Sequence, residues 1–201
     1  MPTYVIEDTA LRDGHRVVAG VDEVGRGPLA GPVVAAAVIL DPCRIPKGID
    51  DSKALFPERR AELFQAILEH AEVGIASVTA ADIDRMDISQ ASLLAMCRAV
   101  AALPRQPCIA LIDGNDPPAL ACATRAVVGG DGSSLSVAAS SIVATVFRYG
   151  LMRRLEHIHP GYGLASHKGY ATKCHVEALM RLGPSPAHRM SFKPVRFALR
   201  G

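Results

Sequence analysis

Four carboxylate side chains stand close behind apolar runs that are typical of β-strands. They are Asp22 and Glu23 after the run 17–21, Asp113 after 109–112, and Asp131 shortly after 126–128. Ligand sites of α/β proteins gather at strand ends, because the scaffold is rigid there and side chains emerge into open space. We therefore expect the four carboxylates to converge on one site.

Several carboxylates at one site repel one another, and hard divalent cations relieve that repulsion. Mg²⁺ prefers oxygen ligands and keeps waters and substrate phosphate oxygens beside one or two carboxylates. Two such ions, roughly 3.5 to 4 Å apart, stabilise the attacking and the leaving oxygen of a phosphoryl displacement. The predicted chemistry is metal-dependent phosphoryl displacement, which needs neither a His nor a Cys nucleophile.

The pattern also allows plainer interpretations. Adjacent side chains on a regular strand point to opposite faces, so Asp22 and Glu23 face one metal only if the strand bends there. Gly25 and Gly27 make such a bend plausible. An Asp before a Gly, as at Asp113 and Asp131, is by itself most often a turn residue.

Hydrophobic periodicity predicts the elements that must position these residues. The order is ββαβαββαα, a mixed α/β pattern. The predicted strands are 17–21, 33–40, 73–78, 109–112 and 126–128, and the predicted helices begin at Pro57 and after Thr79 and cover 88–103, 136–157 and 172–182. We expect the last eighteen residues to wrap the domain without adding a second core.

Composition excludes several classes of protein. The chain has 201 residues, of which 49% are apolar, so a disordered chain is excluded. Aromatic residues are 4% with no Trp, which argues against a stacking platform for single strands. The five cysteines include no Cys-x-x-Cys pair, and the longest apolar run, 33–40, is too short to span a bilayer. We expect a reduced, cytoplasmic protein that does not contact a membrane.

The net charge of +2 hides an uneven distribution. Residues 145–201 carry 10 Lys plus Arg against 2 Glu, whereas residues 1–144 carry 12 against 18 Asp plus Glu. Because backbone phosphate contacts supply much of nucleic-acid affinity, the basic part could bind phosphates beside an acidic part that gathers metals.

Several separated blocks resemble one known family. They are AGVDEVGRGPLAGPV at 19–33, DSK at 51–53, LIDGN at 111–115, GD at 130–131, AASSIVA at 138–144, YG at 162–163, HKGY at 167–170 and HRMSF at 188–192. From Val17 onward the chain is similar to ribonuclease HII, the bacterial type 2 ribonuclease H. The opening block is highly specific, and the agreement in order of so many blocks makes chance improbable.

The resemblance implies an α/β, RNase H-like fold with a central mixed sheet flanked by helices and a helical C-terminal extension. It implies one domain over 1–201, with a core at 17–144 and a basic, substrate-binding part at 145–201. The implied activity is cleavage of the RNA strand of RNA-DNA hybrids and cutting 5′ of single ribonucleotides in duplex DNA. The implied mechanism uses two Mn²⁺ or Mg²⁺ ions and leaves a 3′-hydroxyl and a 5′-phosphate. The family's catalytic and metal-binding carboxylates correspond to Asp22, Glu23, Asp113 and Asp131, and we expect a monomer.

The same resemblance implies the substrate contacts. The turn of Gly25, Arg26 and Gly27 matches the element that senses the ribose 2′-hydroxyl, and Tyr170 matches the tyrosine that packs on the sugar at the RNA-DNA junction. Glycine suits such a turn because backbone without a Cβ can approach the hydroxyl closely. Further candidates are phosphate contacts at Lys53, Lys168 and Arg189. For His167 and His188 we expect a supporting or substrate-proximal role rather than that of a general base. Without the family match, a tight hairpin turn and a half-buried surface tyrosine are the alternatives.

The chain departs from the family pattern at a few positions. Thr145 and Tyr149 stand where the family commonly has Lys and Asp, Asp50 where Asn is usual, and Phe56 where a Ser would cap the helix that starts at Pro57. We expect activity to survive, because none of these is a predicted metal ligand. One alternative is a weak or inactive hybrid-binding protein. Another is a phosphohydrolase of small nucleotides, although the sequence lacks a Gly-x-x-x-x-Gly-Lys-Ser/Thr phosphate loop.

Overall fold

The computed structural model describes residues 1–199, and a five-stranded sheet lies at the centre of that part of the chain. The strands are β1 (Val18–Val24), β2 (Val33–Leu40), β3 (Ala71–Val78), β4 (Ile109–Asp113) and β5 (Ala123–Val127), in the spatial order β3-β2-β1-β4-β5. β2 is antiparallel to both β1 and β3, while β4 is parallel to β1 and to β5. The expected central mixed sheet is confirmed.

Helices flank both faces of this sheet. They are α1 (Val5–Arg12), α2 (Pro57–His70), α3 (Ala80–Met86), α4 (Ile88–Ala101), α5 (Gly130–Ser133), α6 (Leu135–Ile158), α7 (Leu164–His167), α8 (Lys173–Leu182) and α9 (Lys193–Ala198). The sequence prediction missed α1, α5, α7 and α9, which have four to eight residues each. Helices this short are marginal alone and depend on tertiary contacts, so a single-sequence pattern shows them poorly.

Local signals account for where several elements begin. The Thr79 hydroxyl accepts a hydrogen bond from the Asp82 N–H and caps α3, as predicted. Pro57 opens α2, but the preceding Phe56 provides no side-chain cap and is mostly exposed. β1 extends through Val24, and β5 ends at Val127 after starting three residues before the predicted 126–128. The first two catalytic candidates therefore lie inside a strand rather than after it.

Small residues allow α6 to lie directly on the sheet. Its segment 136–145 is entirely buried and consists mostly of Ala, Ser and Val. A Cβ at Gly20 of β1 would stand 2.1 Å from the Ser136 carbonyl carbon, so only glycine permits this approach. α2 and α6 cover one face of the sheet, and α3 and α4 cover the other. Side chains at the end of β1 therefore meet α6 on one side and α4 on the other.

α6 is also the helix that length and composition alone would allow to cross a membrane, within residues 1–199. Of its most apolar stretch, 67% is buried inside the structure, which is what the central helix of a folded core would show. The boundary at 144/145 between the two expected parts of the domain falls inside this helix. α6 therefore carries the chain from one part into the other without a linker.

The C-terminal segment packs on the loop after β1. Leu29 and Ala30 of that loop share a hydrophobic cluster with Leu179 of α8 and with Ala187 and Val195. The C-terminal residues therefore complete a small hydrophobic cluster with this loop. In addition, the Asp84 carboxylate of α3 accepts hydrogen bonds from the backbone N–H groups of Met190 and Ser191, at 2.8 Å each.

Candidate functional site

The parallel pairing of β1 with β4 places two of the four carboxylates on neighbouring strands. Val21 pairs with Ile112, so the next residues along each strand, Asp22 and Asp113, occupy equivalent positions. Asp22 is buried, and its environment includes the Ser141 hydroxyl of α6. Both carboxylates line one cleft with Lys53, Tyr149 and Tyr170 among its other walls.

Glu23 reaches the site from the other side of the strand. β1 keeps its regular pairing with β2 through Val24, so the bend that the sequence made plausible is absent from this pair. Glu23 instead lines a second cleft beside α4 together with Asp113, and both residues also line the first cleft. The two clefts meet at these two carboxylates, which is how adjacent residues of a regular strand serve one site.

Asp131 lies on α5 and not at a strand end, because β5 stops at Val127. The Gly130 N–H donates to Asp113 Oδ1 at 2.7 Å, which ties the start of α5 to the end of β4. A Cβ on Gly130 would stand 3.2 Å from the same oxygen, so this approach favours glycine. The short helix thereby brings Asp131 near Asp113, through a helix N-terminus rather than the predicted strand end.

Cationic side chains balance two of the carboxylates. Lys53 Nζ lies 2.9 Å from Asp131 Oδ2, and Arg26 Nη1 lies 3.2 Å from Glu23 Oε1. Within residues 1–199, no three His, Cys, Asp or Glu side chains converge closely enough to hold one ion between them. The donor set nevertheless fits a hard divalent cation, because it consists of carboxylate oxygens, which Mg²⁺ and Mn²⁺ accept. For Asp131 to bind a cation, the Lys53 ammonium would have to move away from it, which its 80% exposed side chain allows.

Burial raises the pKa values of three of these carboxyl groups. The pKa of Asp22 is raised well above its usual value, first by burial and then by the charges of Glu23 and Asp113. Burial also raises the pKa of Asp113, against the opposing hydrogen bond from Gly130. The pKa of Glu23 is raised by burial and held back by Arg26. Mutual repulsion at buried carboxylates is the electrostatic condition that a divalent cation relieves.

We expect the Asp22→Asn variant to be more stable than the wild type in EDTA at pH 7.5. A carboxyl group whose pKa is raised on folding stabilises the protein at low pH, and that contribution is lost as the pH rises through the folded-state pKa. The amide carries no charge, so thermal unfolding should show a midpoint higher by a few degrees, since about 1 kcal/mol shifts a protein of this size by about 2–4 °C. The gain should shrink towards pH 4, where Asp22 of the wild type binds its proton. A lower midpoint at pH 7.5 would show that the charge is not destabilising.

Two fully buried arginines bind the backbone of the glycine turn and of the loop that follows it. Arg189 donates to the carbonyls of Gly25, Arg26 and Gly31 at 2.5 to 3.1 Å. Arg148 of α6 donates to other backbone carbonyls, those of Ala30, Pro32 and Lys168, at 2.9 to 3.2 Å. Burial lowers the pKa of Arg148 to about 10 and that of Arg189 to about 9. Both remain charged at neutral pH; Arg189 holds the backbone of the turn, and Arg148 holds the backbone of the following loop and of Lys168.

The prediction that Arg189 contacts a phosphate is therefore corrected. Its side chain is 0% exposed, and its guanidinium is used by three backbone carbonyls. The residue supports the Gly25-Arg26-Gly27 turn from behind. Arg148, which was not among the predicted site residues, packs beside Gly25 and holds the loop after the turn through the Ala30 and Pro32 carbonyls. A lone Arg in a sequence gives no sign of whether it faces solvent or backbone, and this ambiguity caused the error.

The remaining substrate candidates line or border the cleft. Tyr170 is 45% exposed and stands across from Gly27, where a Cβ would lie 3.8 Å from its ring. Lys168 Nζ lies 5.1 Å from the centroid of the Tyr149 ring, and Arg60 Cζ lies 5.7 Å from it. Tyr149, a departure from the family pattern, thus holds two cations by its ring where the family commonly has a carboxylate.

A hydroxyl network underlies the carboxylates and was missed by sequence reasoning. The Ser52 and Ser141 hydroxyls lie 2.9 Å apart, and the Thr145 hydroxyl donates to Ser52 at 3.4 Å. All three side chains are buried. The DSK and AASSIVA blocks, which carry part of the family resemblance, were the available signal, but only the fold shows that they meet. Thr145 joins this network where the family commonly has Lys.

Comparisons with known proteins agree with the fold. The sequence model of the family "Ribonuclease HII" matches residues 19–195. The chain is 57% identical over 182 residues to a ribonuclease HII of Parvibaculum lavamentivorans, covering 90% of this chain and 68% of that protein. The structure of ribonuclease H2 from Pyrococcus horikoshii OT3 matches with a TM-score of 0.78 and 25% identity, over 92% of this chain and 97% of that one. The structure of Bst-RNase HIII in complex with Mn²⁺ matches with a TM-score of 0.71 and 23% identity, over 92% and 69%, and shows the fold alone.

Proposed function

The chain belongs to the ribonuclease HII family and is a metal-dependent endoribonuclease of RNA-DNA hybrids, and we propose that it also cuts 5′ of single ribonucleotides embedded in duplex DNA. The observation that carries the proposal is the meeting of the Asp22, Glu23 and Asp113 carboxylates in one cleft, beside a glycine turn whose carbonyls are bound by the buried Arg189. The carboxylates supply the hydrolytic site. The turn supplies a backbone surface that can test for a ribose 2′-hydroxyl.

The mechanism that we propose uses Asp22, Glu23 and Asp113 to hold divalent cations most directly, with Asp131 completing the set. When bound, two such ions supply an activated water and neutralise the charge that develops on the phosphate. Attack in line with the leaving oxygen gives a 3′-hydroxyl and a 5′-phosphate. Neither His167 nor His188 lines the cleft, so residues 1–199 place no imidazole base there.

Recognition of the substrate rests on two elements facing one another. Gly25 and Gly27 bring backbone close to the sugar, and the 2′-hydroxyl is the group that separates RNA from DNA. Tyr170 offers an exposed ring for the neighbouring deoxyribose. Arg26 and Lys53 are exposed cations at the cleft that can bind phosphates, and Lys168 borders it. We assign Arg189 to support of the turn.

The proposal also covers duplex binding, the oligomeric state, the cellular compartment and the metal ion. The basic part at 145–201 binds the duplex, and together with the core at 17–144 it works as one domain. Arg153, Arg154 and Lys173 are exposed on this part and available to phosphates. We propose that the protein acts as a monomer in the cytoplasm, where its five free cysteines stay reduced. Either Mg²⁺ or Mn²⁺ suits the oxygen donors, and Mn²⁺ is the ion named for the Bst-RNase HIII structure.

The test compares cleavage of a DNA duplex carrying one ribonucleotide with cleavage of a continuous RNA-DNA hybrid, in Mg²⁺ and in Mn²⁺ titrations. We expect both substrates to be cut in at least one metal and neither to be cut in EDTA. Binding without cleavage at every metal concentration would instead favour a hybrid-binding protein, which the departures at Thr145 and Tyr149 suggest. Turnover of small nucleotides with indifference to duplex structure would contradict the proposal.

A further inference from the structure

The segment 168–170, which carries Tyr170 into the cleft, has an uncommon backbone. Lys168 has φ +56° and Gly169 has φ +83°, so two successive residues lie in the left-handed region. A side chain such as that of Lys168 rarely adopts this conformation unless surrounding contacts impose it. A Cβ on Gly169 would also lie 2.5 Å from the Ala30 carbonyl oxygen. The segment therefore depends on partners that hold it in place.

Two of these partners come from His167. Its Nε2 lies 2.8 Å from the Tyr162 carbonyl oxygen, and its Nδ1 accepts from the Gly169 N–H at 3.2 Å. A carbonyl only accepts hydrogen bonds, so Nε2 carries the proton and Nδ1 is left free to accept. The contacts thus determine the tautomer of this neutral ring.

A second chain of contacts runs from Tyr170 through two more histidines. His175 Nδ1 lies 2.9 Å from the Tyr170 carbonyl oxygen and must donate to it, so its Nε2 accepts from His188 Nε2 at 3.0 Å. His188 Nδ1 then accepts from the Ser185 N–H at 3.1 Å and faces the Ser185 hydroxyl at 2.9 Å. In each of these two rings one nitrogen donates a hydrogen bond and the other accepts one. Only a neutral imidazole can do both.

The surroundings keep these rings neutral. His175 and His188 are almost completely buried, and the rings of His167 and His175 stack with centroids 4.3 Å apart. Burial, followed by the proximity of His175, lowers the pKa of His188 to about 4, and burial lowers that of His175. The other groups near His188 are the tilted ring of Tyr162, at 4.8 Å, and the more distant His159 and His167, which oppose a further positive charge. The chain of contacts is therefore complete at neutral pH.

We propose that His167, His175 and His188 are positioning residues that hold the segment 168–170 so that the Tyr170 ring faces the carboxylate cleft and selects a ribonucleotide junction. This inference rests on the proposed function, in which Tyr170 packs on the sugar beside the scissile phosphate. The histidines touch neither the substrate nor the carboxylates and act through Tyr170. Ala30 of the glycine-turn loop forms a β-bridge with His188, so the same network also ties the tyrosine to the turn.

The test uses two substitutions that separate the two nitrogens of His175. His175→Asn keeps an amide that can donate from the position of Nδ1, whereas His175→Gln loses that donor and keeps a polar group near Nε2. We expect His175→Gln to lower kcat/KM for a duplex with one ribonucleotide by about 10- to 100-fold, the scale of a misplaced contact group. His175→Asn should lose less than about threefold. His70→Gln, on α2 at the opposite end of the sheet, is the matched control.

A double-mutant cycle of His175→Gln with Tyr170→Ala decides whether the histidine acts through the tyrosine. If it does, His175→Gln should add little to the loss of kcat/KM already caused by Tyr170→Ala, whereas losses that multiply would overturn the proposal.

Hydrogen exchange at the backbone amides of Gly169 and Tyr170 gives a readout independent of activity. Exchange should be faster in His175→Gln and unchanged in His70→Gln. Unchanged exchange in His175→Gln would also overturn the proposal. A wild type that does not cleave the duplex would refute the proposed function itself, and wild-type cleavage combined with independent effects refutes only this inference. If His175→Gln does not fold, His188→Gln, which loses the contacts to Ser185, takes its place in the same measurements.

Discussion

The Asp113→Asn variant is expected to cleave a duplex carrying one ribonucleotide at least about 10³-fold more slowly than the wild type. This decrease in rate is larger than the one caused by removing a single neutral hydrogen-bond donor from an active site. Asp113 lines both clefts, and its carboxylate interacts electrostatically with those of Asp22, Glu23 and Asp131. An amide removes the negative charge that a divalent cation needs. It keeps an oxygen that can accept from the Gly130 N–H, so α5 should stay docked.

Binding separates this explanation from loss of the fold. We expect Asp113→Asn to bind the same duplex with an affinity close to that of the wild type, because the turn, Tyr170 and the exposed cations are untouched. Asp8→Asn, an exposed carboxylate in the first turn of α1, is the matched control and should keep full activity. Full activity of Asp113→Asn would contradict the proposed mechanism.

The Gly25→Ala variant should lose at least about 100-fold in kcat/KM for the same duplex, because it disturbs the turn that tests for the 2′-hydroxyl. Gly25 has φ +96°, and a Cβ there would lie 2.2 Å from Arg148 Nε. That guanidinium is buried on three backbone carbonyls, so it has no free direction in which to move. The methyl group would shift both the turn and its support.

Gly14 offers a control with the same φ angle. It also has φ +96°, but a Cβ there meets nothing within 4 Å. Both substitutions place a side chain in the left-handed region, which costs roughly 1–2 kcal/mol. Only Gly25→Ala adds a clash with Arg148, so Gly14→Ala should show a similar loss from strain in thermal unfolding and near-normal cleavage. Equal losses of activity in the two variants would mean that strain alone, and not the turn, is responsible.

The sequence was sufficient for the fold class because the α/β order depends on local patterns. Apolar runs followed by carboxylates associated Asp22 and Asp113 with strands, and the sheet order then places those two strands side by side. The same local reasoning could not foresee how Glu23 would join the site. Its strand stays regular, and the site is completed by a second cleft on the α4 side, which depends on how α4 packs on the sheet.

The errors arose where a residue's role is set by distant partners. Arg189 resembled a phosphate contact, yet its partners are carbonyls some 160 residues earlier in the chain. Glu7 of the unpredicted α1 is fully buried and accepts from Ser134 Oγ and the Ser136 N–H at the start of α6. The hydrophobic pattern of residues 5–12 does not indicate such a contact. Tertiary contacts of this kind lie beyond what propensity and spacing can indicate.

The central claim is that the carboxylate cluster cuts a phosphodiester only where the turn meets a ribose 2′-hydroxyl. It is tested most directly by one DNA duplex prepared in two forms, with a ribonucleotide or a deoxyribonucleotide at a single position, incubated with the wild type in Mg²⁺ and in Mn²⁺. We expect one cut, 5′ of the ribonucleotide, with a 3′-hydroxyl and a 5′-phosphate at the new ends, and no cut in the all-DNA duplex or in EDTA. Equal cleavage of both duplexes, or cleavage that persists in EDTA, would contradict the account.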